Sequence, residues 1–290
     1  MTSPTTEDRH SAAAGLHRRT DAEVLACLHA AQTAGLGALR PALPMLARVA
    51  GAAAVVLRRG GRLGYAGAGS SGLMALADCL ELAGTFGIPP DRTPMLFAGG
   101  AGALLHMRGD VEDDPRLARA DLARSGLEAG DMVLVLSASG RTPYALTVAE
   151  GARSSGVLVA GFANVAGSPL LALADFPVLV ETGPEVVAGS TRMAAATAQK
   201  VALNMVSALI GVHLGHVHDG LMVNLVADNA KLVDRAARIV MDLAGVSRGD
   251  AETALGLTGG AVKPAVLVAR GMTPEAATGI LEKTGGRLPE

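Results

Sequence analysis

Aromatic residues and cysteines are scarce in this chain. Among 290 residues there is no Trp, and there are only two Tyr, four Phe and two Cys. A folded core must therefore be built from Ala, Val, Leu and Met. Cys27 and Cys79 are too few for a disulfide framework and do not have the spacing of metal ligands, so we expect reduced thiols and neither a metal nor a cofactor.

Charge of one sign and long apolar runs are also missing. The 25 Lys and Arg residues nearly balance the 27 Asp and Glu residues, which gives no general attraction to nucleic acid or to an anionic membrane. Gly, Ser, Asp or Arg interrupt the apolar stretches, and we therefore predict that none reaches the roughly 20 residues of a spanning helix. The first 19 residues carry Glu7, Asp8, Arg9 and His10 in place of an apolar run, which predicts a cytoplasmic protein without a secretory signal.

Apolar strand patterns alternate with helical patterns along the chain, which is typical of a parallel α/β fold. Strands are predicted over residues 62–66, 94–98, 131–136, 157–162 and 176–180. Helices are predicted over residues 21–59, 71–82, 143–154 and 190–214, and beyond residue 228. We predict three parts: a helical segment (1–52), an α/β domain (53–227) and a small C-terminal unit (228–290) with three helices.

Three predicted turns carry hydroxyl groups where a helix begins. We name them the first loop (67–72, Gly-Ala-Gly-Ser-Ser-Gly), the second loop (137–143, Ser-Ala-Ser-Gly-Arg-Thr-Pro) and the third loop (189–192, Gly-Ser-Thr-Arg). Helix N-termini in parallel sheets offer free N–H groups and a positive dipole end to anions. Hydroxyls at three such turns predict a sugar-phosphate pocket, although each cluster alone could be a helix cap or a tight turn.

Two common phosphate motifs do not fit the first loop. Its third glycine has the wrong spacing for the dinucleotide motif, and no acidic residue ends the next strand. The Lys-Ser/Thr pair of a P-loop is also missing. Both observations argue against a nucleotide cofactor.

With these motifs the chain resembles a known family. The first and second loops are similar to those of the sugar isomerase (SIS) domain, an α/β sandwich that binds phosphosugars. An ordered set of runs between residues 62 and 239 more narrowly resembles N-acetylmuramic acid 6-phosphate etherase; it comprises residues 138–144, 183–187, 189–193, 197–200, 203–205, 221–223 and 229–232. The resemblance implies an SIS-type three-layer sandwich with a parallel sheet.

The resemblance also implies an activity. The family cleaves the D-lactyl ether of N-acetylmuramate 6-phosphate during peptidoglycan recycling, needs no metal and is typically dimeric. In the opened sugar, one carboxylate removes the C2 proton, lactate leaves from C3 with help from an acid, and water then adds. By their positions in the family's motifs, Glu81 is the expected proton donor and Glu112 the expected base, with the division of roles open.

The resemblance and the loops together imply a set of substrate-binding residues. They are Gly69, Ser70, Ser71, Ser137, Ser139, Gly140, Arg141, Thr142, Asn164, Glu185, Ser190 and Thr191.

The residues around the two carboxylates give weaker indications when taken alone. Glu81 lies in an apolar stretch, where burial would raise its pKa and keep it protonated; an exposed position at a helix end is the alternative. Glu112 belongs to the acidic run 110–114, which could equally be a solvated loop.

Some positions depart from the family pattern. Leu73 stands in place of an Arg, the run 82–84 is Leu-Ala-Gly, and the run 194–196 is Ala-Ala-Ala, which loses a cation. These departures bear on substrate choice and not on the fold. Two other functions remain open, namely a non-catalytic regulatory SIS protein that binds a phosphosugar and an SIS aldose–ketose isomerase.

A zinc site could be formed by His213, His216 and His218, but we favour histidines at the surface or at an interface.

Overall fold

The computed structural model describes residues 6–289, and its main sheet is parallel and has five strands. Its strands are β1 (Leu63–Gly67), β2 (Met95–Phe97), β3 (Met132–Leu136), β4 (Leu158–Ala163) and β5 (Phe176–Leu179), in the spatial order β2-β1-β3-β4-β5. Every neighbouring pair is parallel. All five strand predictions are confirmed.

Continuous apolar sequence produces the central strands. Every residue of β3 is fully buried, and β1 is buried along its whole length. Strands covered on both faces have no solvent side, which is why they show no alternation of polar and apolar residues.

Eight helices accompany the sheet in sequence. They are α1 (Asp21–Gly37), α2 (Leu39–Arg58), α3 (Gly69–Phe86), α4 (Gly100–Leu105), α5 (Pro115–Arg124), α6 (Pro143–Ser154), α7 (Pro169–Leu173) and α8 (Ala194–His213). The predicted helical part 21–59 is two helices, of which the first begins at a capping box between Thr20 and Glu23. The third loop precedes α8 as a turn, so this helix starts later than predicted.

Helices cover both faces of the sheet. On one face, α5, α6 and α7 enclose an apolar core with alternate residues of the strands, such as Val133 and Val135 of β3. On the other face, α2 contacts β1 and β5, and the Tyr65 hydroxyl of β1 donates to Asp78 of α3. The predicted three-layer α/β sandwich is confirmed.

The described chain divides into two compact units. The first comprises residues 6–79 and 91–207, and the second comprises residues 80–90 and 208–289. The N-terminal helices thus belong with the sheet, and the second unit begins before the predicted boundary at residue 228.

Four helices and a small hairpin form most of the second unit, where three helices were expected. The hairpin is β6 (Val217–His218) and β7 (Leu221–Met222), and the helices are α9 (Ala230–Ala244), α10 (Arg248–Leu257), α11 (Val262–Ala269) and α12 (Pro274–Lys283). They enclose a second apolar core, which includes Val223 and Leu225 from the segment before α9.

Two helices form longer apolar stretches than expected from the sequence. α2 and α8 each span 20 residues and are apolar enough to cross a membrane by length and composition alone. The prediction that no apolar stretch reaches this length is therefore wrong. About half of each stretch is buried within the protein, and α2 packs Val49 and Ala53 into the first unit as a core helix does.

Candidate active site

The first loop is a tight turn between β1 and α3, at the carboxyl end of the sheet. A Cβ atom on Gly67 would lie 2.9 Å from Cα of Gly72, and one on Gly72 would lie 2.8 Å from the Phe97 ring. No side chain fits at either position, so chain geometry alone explains these two glycines.

The remaining glycine of the first loop makes room for a carboxylate. Gly69 opens α3 with φ +52°, and a Cβ atom there would lie 2.5 Å from Oε1 of Glu112. The carboxylate of Glu112 therefore lies directly against Gly69 at the start of α3. The structure brings a predicted catalytic residue and a predicted binding loop together.

A second glycine supports the position of Glu112. Glu112 lies in the 3-10 turn Asp110–Asp113, and Val111 of that turn packs against Gly99 at the end of β2, 3.2 Å from where a Cβ atom would be. The Glu112 N–H donates to the Gly109 carbonyl at 3.1 Å. The acidic run is thus a folded turn held against the sheet, and the solvated-loop alternative does not apply to Glu112.

The environment of Glu112 favours its protonated form. The side chain is half-buried, and this desolvation together with the charge of Asp113 raises the pKa of Glu112 above its ordinary value. A carboxyl group of raised pKa is a stronger base and a better temporary holder of a proton.

The second loop is held by its own hydroxyl groups. The hydroxyls of Ser137 and Thr142 are 2.9 Å apart, the Gly140 N–H donates to Ser137 Oγ at 3.1 Å, and the Arg141 N–H donates to Ser139 Oγ at 3.2 Å. Because Thr142 bonds to Ser137, its side chain leaves the N-terminus of α6 uncapped. Arg141 is exposed beside these groups.

The third loop differs from the other two because its helix start is already occupied. The carboxylate of Glu185 accepts hydrogen bonds from the N–H groups of Ala194 and Ala195, at 3.0 and 2.9 Å. Ser190 and Thr191 lie in the turn before α8, where the Gly189 N–H donates to the Thr6 carbonyl at 3.1 Å. The expected open phosphate site at α8 is not present here, since Glu185 already provides the negative charge.

The side chain of Asn164 is also held by hydrogen bonds within the protein. Its amide donates to the Val180 carbonyl at 2.8 Å and accepts from Gln199 at 2.9 Å, and the side chain is buried. In this structure Asn164 and Glu185 anchor strands and helices, and their substrate contacts remain predictions.

Glu81 is exposed, so of the two alternatives left by the sequence the exposed position applies and the buried acid does not. The reason is the orientation of α3, which turns Asp78, Cys79 and Leu82 inward and leaves Leu80 and Glu81 on the solvent side. Glu81 belongs to the second unit and Glu112 to the first.

A buried carboxylate that the sequence did not indicate lies one turn before Glu81. Asp78 accepts hydrogen bonds from the Tyr65 hydroxyl, the Asn204 amide and the Ser207 hydroxyl, each at 2.9 Å. Burial and the neighbouring Asp78 raise the pKa of Tyr65. In the sequence, the only indication of this buried carboxylate is an acidic residue within the apolar stretch 75–82.

The two cysteines are free thiols, as predicted. Cys79 is buried and donates to the Thr93 carbonyl at 3.2 Å, and burial raises its pKa to about 11. Within residues 6–289, no three His, Cys, Asp or Glu side chains are grouped so that they could hold a metal ion.

Comparisons with known proteins show which family this chain belongs to. The SIS domain family matches residues 41–164. N-acetylmuramic acid 6-phosphate etherase of Deinococcus radiodurans is 41% identical over 99% of this chain and 94% of its own length. The protein of the same name from Serratia proteamaculans is 42% identical over 90% of this chain and 88% of its own.

A solved phosphoheptose isomerase from Francisella tularensis covers 66% of this chain and 97% of its own, at 20% identity and a TM-score of 0.49. The near-full-length matches carry the assignment. The chain belongs to the N-acetylmuramic acid 6-phosphate etherase family.

Proposed function

We propose that this protein cleaves the D-lactyl ether bond of N-acetylmuramic acid 6-phosphate to give N-acetylglucosamine 6-phosphate and D-lactate. The observation that carries the proposal is the half-buried Glu112 carboxylate against Gly69, at the start of α3. Relatives that carry the etherase name at 41% and 42% identity over nearly the whole chain support the same activity.

The second loop is the proposed site of the phosphate group. Ser137, Ser139 and Thr142 offer hydroxyls, Arg141 offers a guanidinium, and the N-terminus of α6 has no side-chain cap. Helix N–H groups and hydroxyls suit a phosphate monoester without a general positive charge on the protein.

Glu112 is the proposed base. In the ring-opened sugar the C1 aldehyde acidifies the proton on C2, and a carboxylate close to the sugar can remove it. The raised pKa of Glu112 strengthens it for this task, because general-base catalysis is most efficient when the pKa of the base lies near the working pH.

Glu81 is the proposed acid, on the strength of its position in the family's motif. It gives a proton to the ether oxygen as the C3–O bond breaks, and D-lactate leaves. Water then adds its hydroxyl to C3, the proton held by Glu112 returns to C2, and the second proton of the water restores Glu81. The net reaction consumes one water.

Three buried alanines occupy the run in which the family carries a cation. Ala194, Ala195 and Ala196 are all buried, and Ala194 packs against Gly35 at 3.0 Å from where a Cβ atom would be. We propose that the exposed Arg141 provides the main positive charge of the phosphate site.

Release of D-lactate from N-acetylmuramate 6-phosphate by the purified protein tests the activity. A ketose phosphate without lactate would indicate an isomerase, and binding without turnover would indicate a regulatory protein. Glu112→Gln and Glu81→Gln should each lower kcat by about 100-fold or more, the usual contribution of a general acid or base.

Glu150→Gln is the matched control, because Glu150 is an exposed carboxylate on α6. It should release D-lactate at the wild-type rate. A Glu112→Gln enzyme as active as this control would contradict the base assignment.

The cellular location, the oligomeric state and the pathway are also part of the proposal. We propose a cytoplasmic homodimer that acts in the recycling of peptidoglycan amino sugars, with no nucleic-acid or membrane partner. Light scattering of the purified protein at micromolar concentration tests the dimer.

A further inference from the structure

A cavity of about 540 Å³ lies within the second unit, and the proposed reaction makes no use of it. Its walls are mostly apolar and include Val223, Leu225, Val262 and Leu281. One charged side chain, Lys263, completes the lining.

Lys263 is unusual because it is a buried cation. Only 6% of the residue is exposed, and its ammonium group donates to the Gly286 carbonyl at 2.7 Å. Among residues 6–289 no carboxylate pairs with it, since every ion pair found there involves an arginine. A buried charge without a counter-ion is costly, and burial lowers the pKa of Lys263 to about 8.

The neighbouring titratable group provides no negative charge. Burial, and then the charge of Lys263, lower the pKa of His216 to about 4, so this imidazole is neutral at pH 7. Its Nδ1 atom is buried and makes no hydrogen bond among the described residues. The cavity lining around the ammonium group is therefore largely apolar and carries no negative side chain.

The backbone adds to the positive potential. The N-cap residue Ala261 and the first residues of α11, Val262 and Pro264, line the cavity together with Lys263. Ala261 provides no side-chain cap for this helix of eight residues. A helix N-terminus and an uncompensated ammonium thus face the same space, and both favour an anion.

We infer that this cavity is a binding site for a small monocarboxylate with a short apolar body. One ammonium balances one negative charge, so a doubly charged phosphate monoester would keep an unbalanced charge in an apolar space. The apolar walls accept a few methylene or methyl groups, whose burial contributes about 0.8 kcal/mol per CH₂. The site lies apart from the proposed catalytic loops in sequence, and the inference does not depend on the etherase activity.

Butyrate is the probe for this site. The full-length protein is treated with formaldehyde and borohydride, and methylation of its four lysines, Lys200, Lys231, Lys263 and Lys283, is followed by peptide mass spectrometry. At a concentration about twice its Kd, butyrate should slow methylation of Lys263 about threefold and leave Lys283 unchanged. Chloride, inorganic phosphate and 1-butanol at the same concentration should protect less.

Two lysine variants test the same site by thermal unfolding. Lys263→Met keeps the length of the side chain and removes its charge, and Lys283→Met makes the same change at an exposed position of α12. Butyrate should raise the Tm of the wild type and of Lys283→Met, but not that of Lys263→Met. All three proteins should release D-lactate at the same rate.

A further variant covers the case in which Lys263→Met does not fold. Val226 lines the cavity and is 52% exposed, so Val226→Trp fills part of the space and leaves Lys263 in place. It should abolish the protection by butyrate. Equal protection by phosphate or butanol, equal protection of all lysines, or an unchanged butyrate effect in Lys263→Met or Val226→Trp would overturn the proposal.

Discussion

At the scale of single residues, the acidic neighbour of Glu112 provides a test of its role. Glu112 as a base must be ionised, so the rate should fall as the pH drops through its raised pKa. This loss should begin at a higher pH than for an ordinary glutamate. Asp113→Asn removes one of the two causes of the shift, and the acidic limb of the kcat/KM profile should move to lower pH.

Asp91→Asn is the control for this experiment, because Asp91 is an exposed carboxylate that does not act on Glu112. Its profile should match the wild type. If Asp113→Asn left the acidic limb in place, that limb would report another group.

The close approach of Glu112 to Gly69 gives a second prediction at the scale of single residues. In Gly69→Ala the new methyl group would meet Oε1 of Glu112 and would stand at a positive φ, so the carboxylate must move. We expect D-lactate release to fall by about tenfold or more, as small misplacements of catalytic groups do. Gly51→Ala in α2 meets nothing within 4 Å and should leave the rate unchanged; equal rates for the two variants would contradict the close approach.

At the scale of elements, Asp78 joins α3 to β1 and to α8. Asp78→Ala would remove the acceptor of the buried Tyr65 hydroxyl, together with the acceptor that the half-buried Asn204 amide and the buried Ser207 hydroxyl share. We expect a loss of about 2–4 kcal/mol in the free energy of unfolding, because unsatisfied buried donors are costly. Asp78→Asn keeps an acceptor oxygen and should lose less; urea denaturation measures both, and equal losses would argue against the hydrogen bonds as the cause.

The same elements show what the sequence could and could not predict. The strands and the first two loops were predictable, because a buried parallel strand leaves a continuous apolar run and the loops follow it directly. The hydrogen bonds of Asp78 were not predictable, because its partners Asn204 and Ser207 lie 126 and 129 residues away in the sequence. The exposure of Glu81 and the capping of α8 by Glu185 likewise depend on which faces pack together, and a local pattern does not contain that information.

At the scale of the whole molecule, two apolar cores among the described residues belong to different units. One lies between the sheet and α5, α6 and α7, and includes Leu170. The other joins α9 to α12 and includes Leu267. Both leucines are fully buried, so they form a matched pair for testing whether the two units unfold separately.

Leu170→Ala and Leu267→Ala should each cost about 2–5 kcal/mol within their own core. Hydrogen exchange measured by mass spectrometry should locate that loss. In Leu267→Ala the amides of residues 230–283 should exchange faster while those of β1, β3 and β4 keep their wild-type rates, and Leu170→Ala should show the reverse. If either variant accelerated exchange equally in both regions, the chain would unfold as one cooperative unit. A ligand in the cavity beside Lys263 would then stabilise the sheet as strongly as the helices around the cavity.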